Sequence, residues 1–98
     1  MKNIIKNINK AFENRIRLGI MSVLMVNEYA EFNTLKTLLN VTDGNLASHL
    51  KALEKENYIT VKKRFIERKP NTRYSVTQSG RIEFKKHIDA IEKLIHKQ

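Results

Sequence analysis

The chain has 98 residues, the length of one small domain, and its 41% hydrophobic residues suffice for a modest core. Its 19 lysines and arginines against 10 acidic residues give a formal charge of +9, which indicates a polyanionic partner. Nucleic acid is the first candidate and an anionic membrane surface the second.

The absence of cysteine excludes disulfides and thiolate metal sites. The sequence has neither an apolar run of the ~20 residues that span a membrane nor a signal-peptide pattern. We therefore expect one domain over residues 1–98 of a cytoplasmic protein.

Two helices are predicted in the first quarter of the chain. Asn3 can cap a short helix over residues 3–11. The apolar face of this helix includes Ile4, Ile5 and Ile8. A second helix is expected from about Asn14 to Val26, with an apolar stripe on each of two sides. Because a helix with two apolar faces is buried on both, one face should pack on the body of the domain and the other under the terminal helices or a second subunit.

The middle of the chain predicts a helix-turn-helix. A short strand can form within Tyr29–Phe32, and Asn33 is a favourable N-cap for a short helix after it. Asn40-Val41 then forms a turn, and Thr42 caps the next helix. The inward face of that helix consists of Leu46, Leu50 and Leu53, at spacings of four and three.

A basic β-hairpin, here called the wing, is predicted over residues 59–76. Apolar and polar residues alternate from Ile59 to Arg64, Lys69-Pro70-Asn71 is a turn signal, and Arg73–Val76 gives the return strand. The hairpin contains six positive residues and one acid, a net +5 of the chain's +9. Lysines can serve only to protect sheet edges, but six cations exceed that need. The candidate contacts to phosphates or to a minor groove are Lys62, Arg64, Arg68, Lys69 and Arg73, the last three expected to flank the tip.

The outward face of the second helix of the motif is small and polar. Opposite the three leucines lie Gly44, Ser48 and Lys51, flanked by Asn45 and Ala47. A helix that enters a major groove about 12 Å wide needs short side chains near its N-terminus, whereas an ordinary surface helix is typically rich in Glu and Lys. The N-terminal N–H groups can also bind a phosphate. The pattern therefore predicts a helix that reads DNA.

Two residues of this helix allow several interpretations. Asp43 favours the helix dipole, although its charge repels phosphates. It could accept a hydrogen bond from a cytosine amino group, orient a nearby basic side chain, or act only as an acid near the cap. His49 lies beside the inward face and is interpreted as packed or phosphate-facing.

Three segments together resemble the winged-helix transcriptional regulators of the MarR and ArsR type: FENRIRLGIMSVL, TLKTLLNVTDGNLASHLKALEKENYI and KKRFIERKPNTRYSVTQSG, covering about residues 12–81. The resemblance implies a homodimer on a palindromic operator, more often a repressor than an activator. The groove-facing residues it implies are Thr42, Asp43, Gly44, Asn45, Ala47, Ser48 and Lys51. The wing contacts it implies are Arg68, Lys69, Asn71, Thr72 and Arg73. The fold class expected is mainly α-helical with a small β wing, with N- and C-terminal helices forming a dimerisation layer.

The terminal helices are the predicted dimer interface. Thr77 can cap a last helix over about residues 78–97. Its apolar stripe consists of Phe84, Ile88, Ile91 and Ile95, which Ile4, Ile5 and Ile8 of the first helix could complete. The alternative is that both helices fold back onto their own core.

Other classes of function fit the sequence less well. A winged helix that binds protein or RNA without operator specificity rarely needs a wing charge of +5. An enzyme is not indicated, because no acid–base pair, nucleophile motif or phosphate loop occurs and the neighbours Ser48 and His49 diverge on a helix. We expect no cofactor and no metal, since His87 and His96 are nine residues apart and form no ligand cluster with His49. No set of residues marks a small-molecule effector site.

Overall fold

The computed structural model describes residues 3–96, so the predicted end of the last helix at residue 97 lies outside the described residues. Four helices and a three-stranded antiparallel sheet follow one short 3-10 turn, Lys10–Phe12. In chain order the elements are α1 (Arg15–Met25), β1 (Ala30–Glu31), α2 (Phe32–Leu39), α3 (Asp43–Lys55), β2 (Ile59–Ile66), β3 (Lys69–Val76) and α4 (Gln78–Leu94). The sheet order is β1-β3-β2. The predicted winged-helix fold is confirmed.

Side-chain caps open α1, α3 and α4, and two of them, Thr42 and Thr77, were predicted from the sequence. The Asn14 side chain accepts hydrogen bonds from the backbone N–H groups that open α1, at 2.9 and 3.1 Å. The hydroxyl of Thr42 accepts from the N–H of Asn45 at 3.2 Å, and that of Thr77 from Gly80 at 2.8 Å. The cap predicted at Asn33 is wrong. Because the chain enters α2 directly from β1, the helix begins two residues earlier, at Phe32, with Glu31 at the cap position and no side-chain cap bond.

The N-terminal helix predicted over residues 3–11 is also wrong. Residues 4–7 form turns, and only the short 3-10 turn follows. The side chains of Asn3 and Asn9 each accept from the backbone N–H two residues ahead, a local bond that competes with helix. The N–H of Asn9 donates to Nδ1 of His87 in α4 at 2.9 Å. A long-range bond therefore replaces the helical one.

The turn of the wing lies before the predicted Lys69-Pro70-Asn71. Glu67 and Arg68 form it, with φ of 51° and 66°, and Lys69 and Pro70 already belong to β3. Two central residues at positive φ match the right-handed twist of the flanking strands. Pro70 pairs with Phe65 of β2, at a point of the described sheet that β1 does not reach. This edge position tolerates a residue without an N–H group.

The core holds α3 firmly against the rest of the domain. Its most buried members are Phe12, Ile20, Met21, Leu24, Leu35, Leu46, Leu50, Leu53, Ile59 and Phe84. Three of them are the leucines predicted for the inward face of α3. Below the wing, Gly80 of α4 lies so close to the carbonyl oxygen of Tyr58 that a Cβ there would overlap it. Within the described residues, no helix is long and apolar enough to cross a membrane.

Candidate nucleic-acid interface

The outward side of α3 is one continuous exposed surface, here called the reading face. Its members, all exposed, are Thr42, Asp43, Gly44, Asn45, Ala47, Ser48 and Lys51. These are the residues that the sequence placed on a groove-facing side. A Cβ added at Gly44 would meet nothing within 4 Å. The fold itself therefore does not require glycine at this position.

Asp43 is paired with a lysine from the neighbouring helix. Its Oδ1 lies 2.8 Å from Nζ of Lys36 in α2, and both side chains remain largely exposed. Of the interpretations left open by the sequence, this geometry matches a carboxylate that orients a basic side chain. The pair also offsets the acid charge at the start of the reading face.

His49 joins the reading face to α1. Its Nδ1 accepts a hydrogen bond from Nε of Arg17 at 3.0 Å. Burial lowers the pKa of His49, and the adjacent Arg17 charge lowers it further. The ring is therefore neutral at physiological pH. The sequence interpretation of a packed histidine holds in part, with a partner that the sequence did not indicate.

The wing carries its positive charge outside the body of the domain. The exposed cations on it are Lys62, Lys63, Arg64, Arg68 and Lys69. The strand register places Arg64 opposite Asn71, and Nε of Arg64 donates to the Asn71 side chain at 3.3 Å. Asn71 and Thr72 are half-buried. The distal wing is thus a row of solvated cations.

Arg73 does not flank the wing tip as expected from the sequence. It pairs with Lys62 across the hairpin and with Glu31 of β1, about 13 Å along the strand from Lys69. Its guanidinium lies 3.9 Å from the centre of the Tyr29 ring, a cation–π contact. Nε of Arg73 is buried and has no hydrogen-bond partner among the described residues. Arg73 therefore sits at the base of the wing, stacked against the body.

Comparison with known proteins assigns this architecture. A family model described as a winged helix DNA-binding domain matches residues 16–95. The chain belongs to the winged-helix DNA-binding domain family. The match spans both halves of the interface, the reading face and the wing.

This winged-helix protein is similar to proteins from several organisms. An uncharacterized protein of Methanocaldococcus jannaschii is 42% identical over 85 residues, which cover 87% of this chain and 92% of that protein. The solved structure of a transcriptional regulator homologue from Pyrococcus horikoshii OT3 is 32% identical, with a TM-score of 0.84 over 94% of this chain and 89% of that chain. A protein described as a MarR-family regulator from Enterococcus faecalis V583 is similar in fold, with 23% identity and a TM-score of 0.66 over 95% and 76% of the two chains. The predicted resemblance to winged-helix transcriptional regulators is confirmed.

The apolar residues expected at a dimer interface of this winged-helix protein differ in their surroundings. Phe84 is only 5% exposed and packs edge-to-face on Phe12, with ring centres 5.2 Å apart. It belongs to the core of its own protomer, as the fold-back alternative predicted. The other α4 residues of the predicted stripe, Ile88, Ile91 and Ile95, are exposed, as are Ile4 and Ile5, whereas Ile8 is half-buried. Ile82 of α4 is also exposed and was not singled out from the sequence.

Four residues near the interface were missed in the sequence: Arg17, Tyr29, Lys36 and Phe65. The first three act through partners distant in the chain, so local patterns do not reveal them. Phe65 continues the inward alternation of β2 beyond the body and is 76% exposed. Within residues 3–96, no three His, Cys, Asp or Glu side chains converge as a metal site would require.

Proposed function

We propose that this winged-helix protein is a homodimeric transcriptional repressor that binds a pseudo-palindromic operator in double-stranded DNA. Residues 1–98 would form a single domain, with the DNA-binding core over about 12–81, acting in the cytoplasm where the chromosome is accessible. Membership of a DNA-binding family supports DNA as the partner. Sequence specificity, dimerisation and the sign of regulation are the finer claims of this proposal.

The observation that carries the proposal is the composition of the reading face. Its exposed side chains are short except for Lys51, and three of the short ones, Thr42, Asn45 and Ser48, offer hydrogen-bonding groups without bulk. Such a surface lets the helix backbone approach base edges in the major groove. The capped N-terminus of α3 adds a positive dipole end for a phosphate.

The wing supplies the second half of the proposed contact. Lys62, Arg64, Arg68 and Lys69 are exposed along the hairpin and would neutralise phosphates or enter a minor groove. Asn71, Thr72 and Arg73 are half-buried on the return strand, opposite Arg64, Lys63 and Lys62, and would contribute further contacts along the hairpin. These contacts would raise affinity for every duplex, while the reading face selects among sequences.

Dimerisation is proposed from the exposed isoleucines. Ile88 and Ile91 are about two-fifths exposed and Ile95 is 81% exposed, on a side of α4 that the core leaves uncovered. Ile4 and Ile5 lie on the N-terminal segment that is bonded to α4 through Asn9. A second copy would bury this surface and set two recognition helices about one DNA turn, ~34 Å, apart.

Selection of duplexes from a random pool tests operator binding. The expected result is a two-fold symmetric consensus with half-sites one helical turn apart. Light scattering at micromolar concentration should show a dimer. Binding of the selected duplex by the dimer should weaken about 10³- to 10⁵-fold between 50 and 200 mM salt, as ~6–10 phosphate contacts require. A pool that yields no consensus, a clean monomer, or a flat salt response would each contradict the corresponding part of the proposal.

A further inference from the structure

The hydrogen bond between Arg17 and His49 fixes the tautomer of the histidine. A guanidinium has only donors, so Nδ1 of His49 must offer a lone pair to Nε of Arg17 at 3.0 Å. In the neutral ring the hydrogen is then on Nε2. The ring is therefore a donor on the side that faces away from Arg17.

Nε2 of His49 is available to a partner outside the protein. Within residues 3–96, Nε2 has no hydrogen-bond partner. Nε of Arg73 is the one buried side-chain polar atom of these residues that lacks a partner. Nε2 of His49 is therefore not buried and is in contact with solvent. His49 follows Ser48 directly and lies four residues after Asn45. Residues four apart are neighbours on a helix surface. The exposed N–H therefore borders the reading face.

The surroundings of His49 favour a neutral ring, which donates one hydrogen bond from Nε2, over a positively charged ring. Burial between α1 and α3 and the Arg17 charge both lower the pKa of His49, so the neutral ring is favoured in the free protein. A neutral N–H gains little from the general phosphate field. It discriminates between base edges, because guanine N7 and O6, adenine N7 and thymine O4 accept a hydrogen bond in the major groove whereas the adenine and cytosine amino groups do not.

We propose that His49 is a specificity-determining residue of the recognition helix, donating from Nε2 to a base acceptor in the major groove. Arg17 of α1 is its positioning residue, which holds the ring in the Nε2–H tautomer. This inference rests on the proposed operator binding and adds a base contact beyond the exposed small residues of the reading face. It assigns α1, which does not itself enter the groove, a role in sequence preference.

Two substitutions of His49 distinguish the role of Nδ1 from that of Nε2. In His49→Asn, Oδ1 can replace Nδ1 as the acceptor for Arg17, but no donor reaches the position of Nε2. In His49→Gln, the longer amide can place an N–H group near that position. His96→Gln is the matched control, since His96 is an exposed histidine beyond the end of α4. Selection from a random duplex pool, followed by competition titrations with single base-pair changes, measures the preference at each position.

The expected result is loss of discrimination at one or two positions of each half-site. His49→Asn should reduce it there by about 2- to 12-fold, the range for one neutral hydrogen bond, with His49→Gln retaining part of it and His96→Gln unchanged. Unaltered preference at every position in His49→Asn would overturn the inference. So would an equal loss for all duplexes, because that pattern indicates a phosphate contact. Thermal unfolding of each variant establishes that α3 is still folded.

The role of Arg17 has its own measurement. Nitrogen-15 NMR of the imidazole distinguishes Nε2–H from Nδ1–H, and the wild-type protein should show Nε2–H for His49. Arg17→Met should shift the ring toward a tautomer mixture and lower discrimination at the same base positions. A wild-type Nδ1–H tautomer, or a variant with unchanged tautomer and unchanged preference, would overturn the assignment of Arg17. If the wild-type protein itself selects no consensus, operator binding fails instead, and the tautomer measurement still stands alone.

Discussion

The reading face and the wing differ in how the body of the domain holds them. α3 is anchored by three buried leucines and a side-chain cap, and Arg17 and Lys36 bond to its outer residues. Beyond its base, the wing pairs mainly with itself, and every residue from Lys62 to Pro70 is exposed. The shape of the reading face is therefore a product of packing, while the distal wing contributes through its charge. Stability, affinity and specificity should respond to different substitutions.

The largest expected effect is on stability, and it separates the two regions directly. Leu53→Ala removes a side chain that is completely buried between α3 and the core, which should lower the free energy of unfolding by ~2–5 kcal/mol. Phe65→Ala on the wing removes a ring of similar hydrophobicity that is 76% exposed, and the change should stay within about 0.5 kcal/mol. Denaturant unfolding measures both. Comparable losses of stability would show that Phe65 is packed in solution, and the contrast between a packed α3 and a solvated wing would then be wrong.

The second effect concerns affinity. The double change Arg68→Gln and Lys69→Gln removes two exposed cations near the turn. It should weaken binding about tenfold or more for all duplexes alike and reduce the slope of log affinity against log salt by about 4, one unit for each of the four phosphate contacts that a dimer would lose. The control is Lys85→Gln with Lys86→Gln, which removes the same charge from exposed positions on α4. Fluorescence anisotropy at two salt concentrations measures both pairs. A change confined to one operator sequence would assign base readout to the wing.

Gly44→Ala should weaken the complex with DNA without destabilising the free protein. The new methyl group meets open space, so helix propensity should leave stability unchanged or raise it by up to ~1 kcal/mol. Operator affinity should fall, because the methyl group lies where the backbone approaches the groove. Gly80→Ala is the contrasting variant, since its Cβ would overlap the Tyr58 carbonyl and destabilise the fold. Binding and thermal unfolding of both variants test this, and full operator affinity in Gly44→Ala would place that turn of α3 away from the DNA.

The smallest effect near neutral pH is a dependence of stability on protonation. His87 is 2% exposed and its Nδ1 accepts from Asn9; burial lowers its pKa, and the nearby Glu13 charge opposes this in part. The unfolded chain then takes up a proton below pH ~6.5 before the folded protein does, so stability is complete above that pH and falls as the pH is lowered toward the folded pKa. His49 has the same sign.

Unfolding measured at pH 7.5 and 5.5 should show this loss in the wild-type protein and in His96→Gln, whose histidine is exposed. His87→Gln should show a smaller difference between the two pH values, whatever its absolute stability. A wild-type protein that is more stable at pH 5.5 would contradict the neutral state of the buried ring.

The sequence predicted those parts of the fold that depend on local chemistry. The caps at Thr42 and Thr77 were found because a short polar side chain before an apolar pattern satisfies the free N–H groups of a helix. The wing turn was misplaced because Lys69-Pro70-Asn71 is a strong turn signal, whereas Glu67 and Arg68 are not. Its position was nevertheless encoded in the inward residues: aligning Ile59 with Val76 and Val61 with Tyr74 centres the turn between Glu67 and Arg68.

What the sequence did not predict depends on contacts between distant residues. The prediction of a helix over residues 3–11 was wrong because the N–H of Asn9 bonds to a histidine 78 residues away. Phe84 could not be separated from the exposed isoleucines of α4 by spacing alone, since its partner Phe12 comes from the N-terminal segment. At the interface, helical periodicity indicated Gly44, Asn45, Ala47, Ser48 and Lys51, and the family resemblance added Thr42 and Asp43. The bonds of Asp43 and His49 to other helices followed from neither.

The bond between Asn9 and His87 also bears on the order of folding. It joins the first and last described parts of the chain, and closing so long a loop carries an entropic penalty that local contacts avoid. Phe12, which packs on Phe84 and His87, is left uncovered until α4 is in place. We therefore expect α1 to α3 to associate early and the N-terminal segment to dock in a late step with α4. A nascent chain would complete its core only when its last helix has been synthesised.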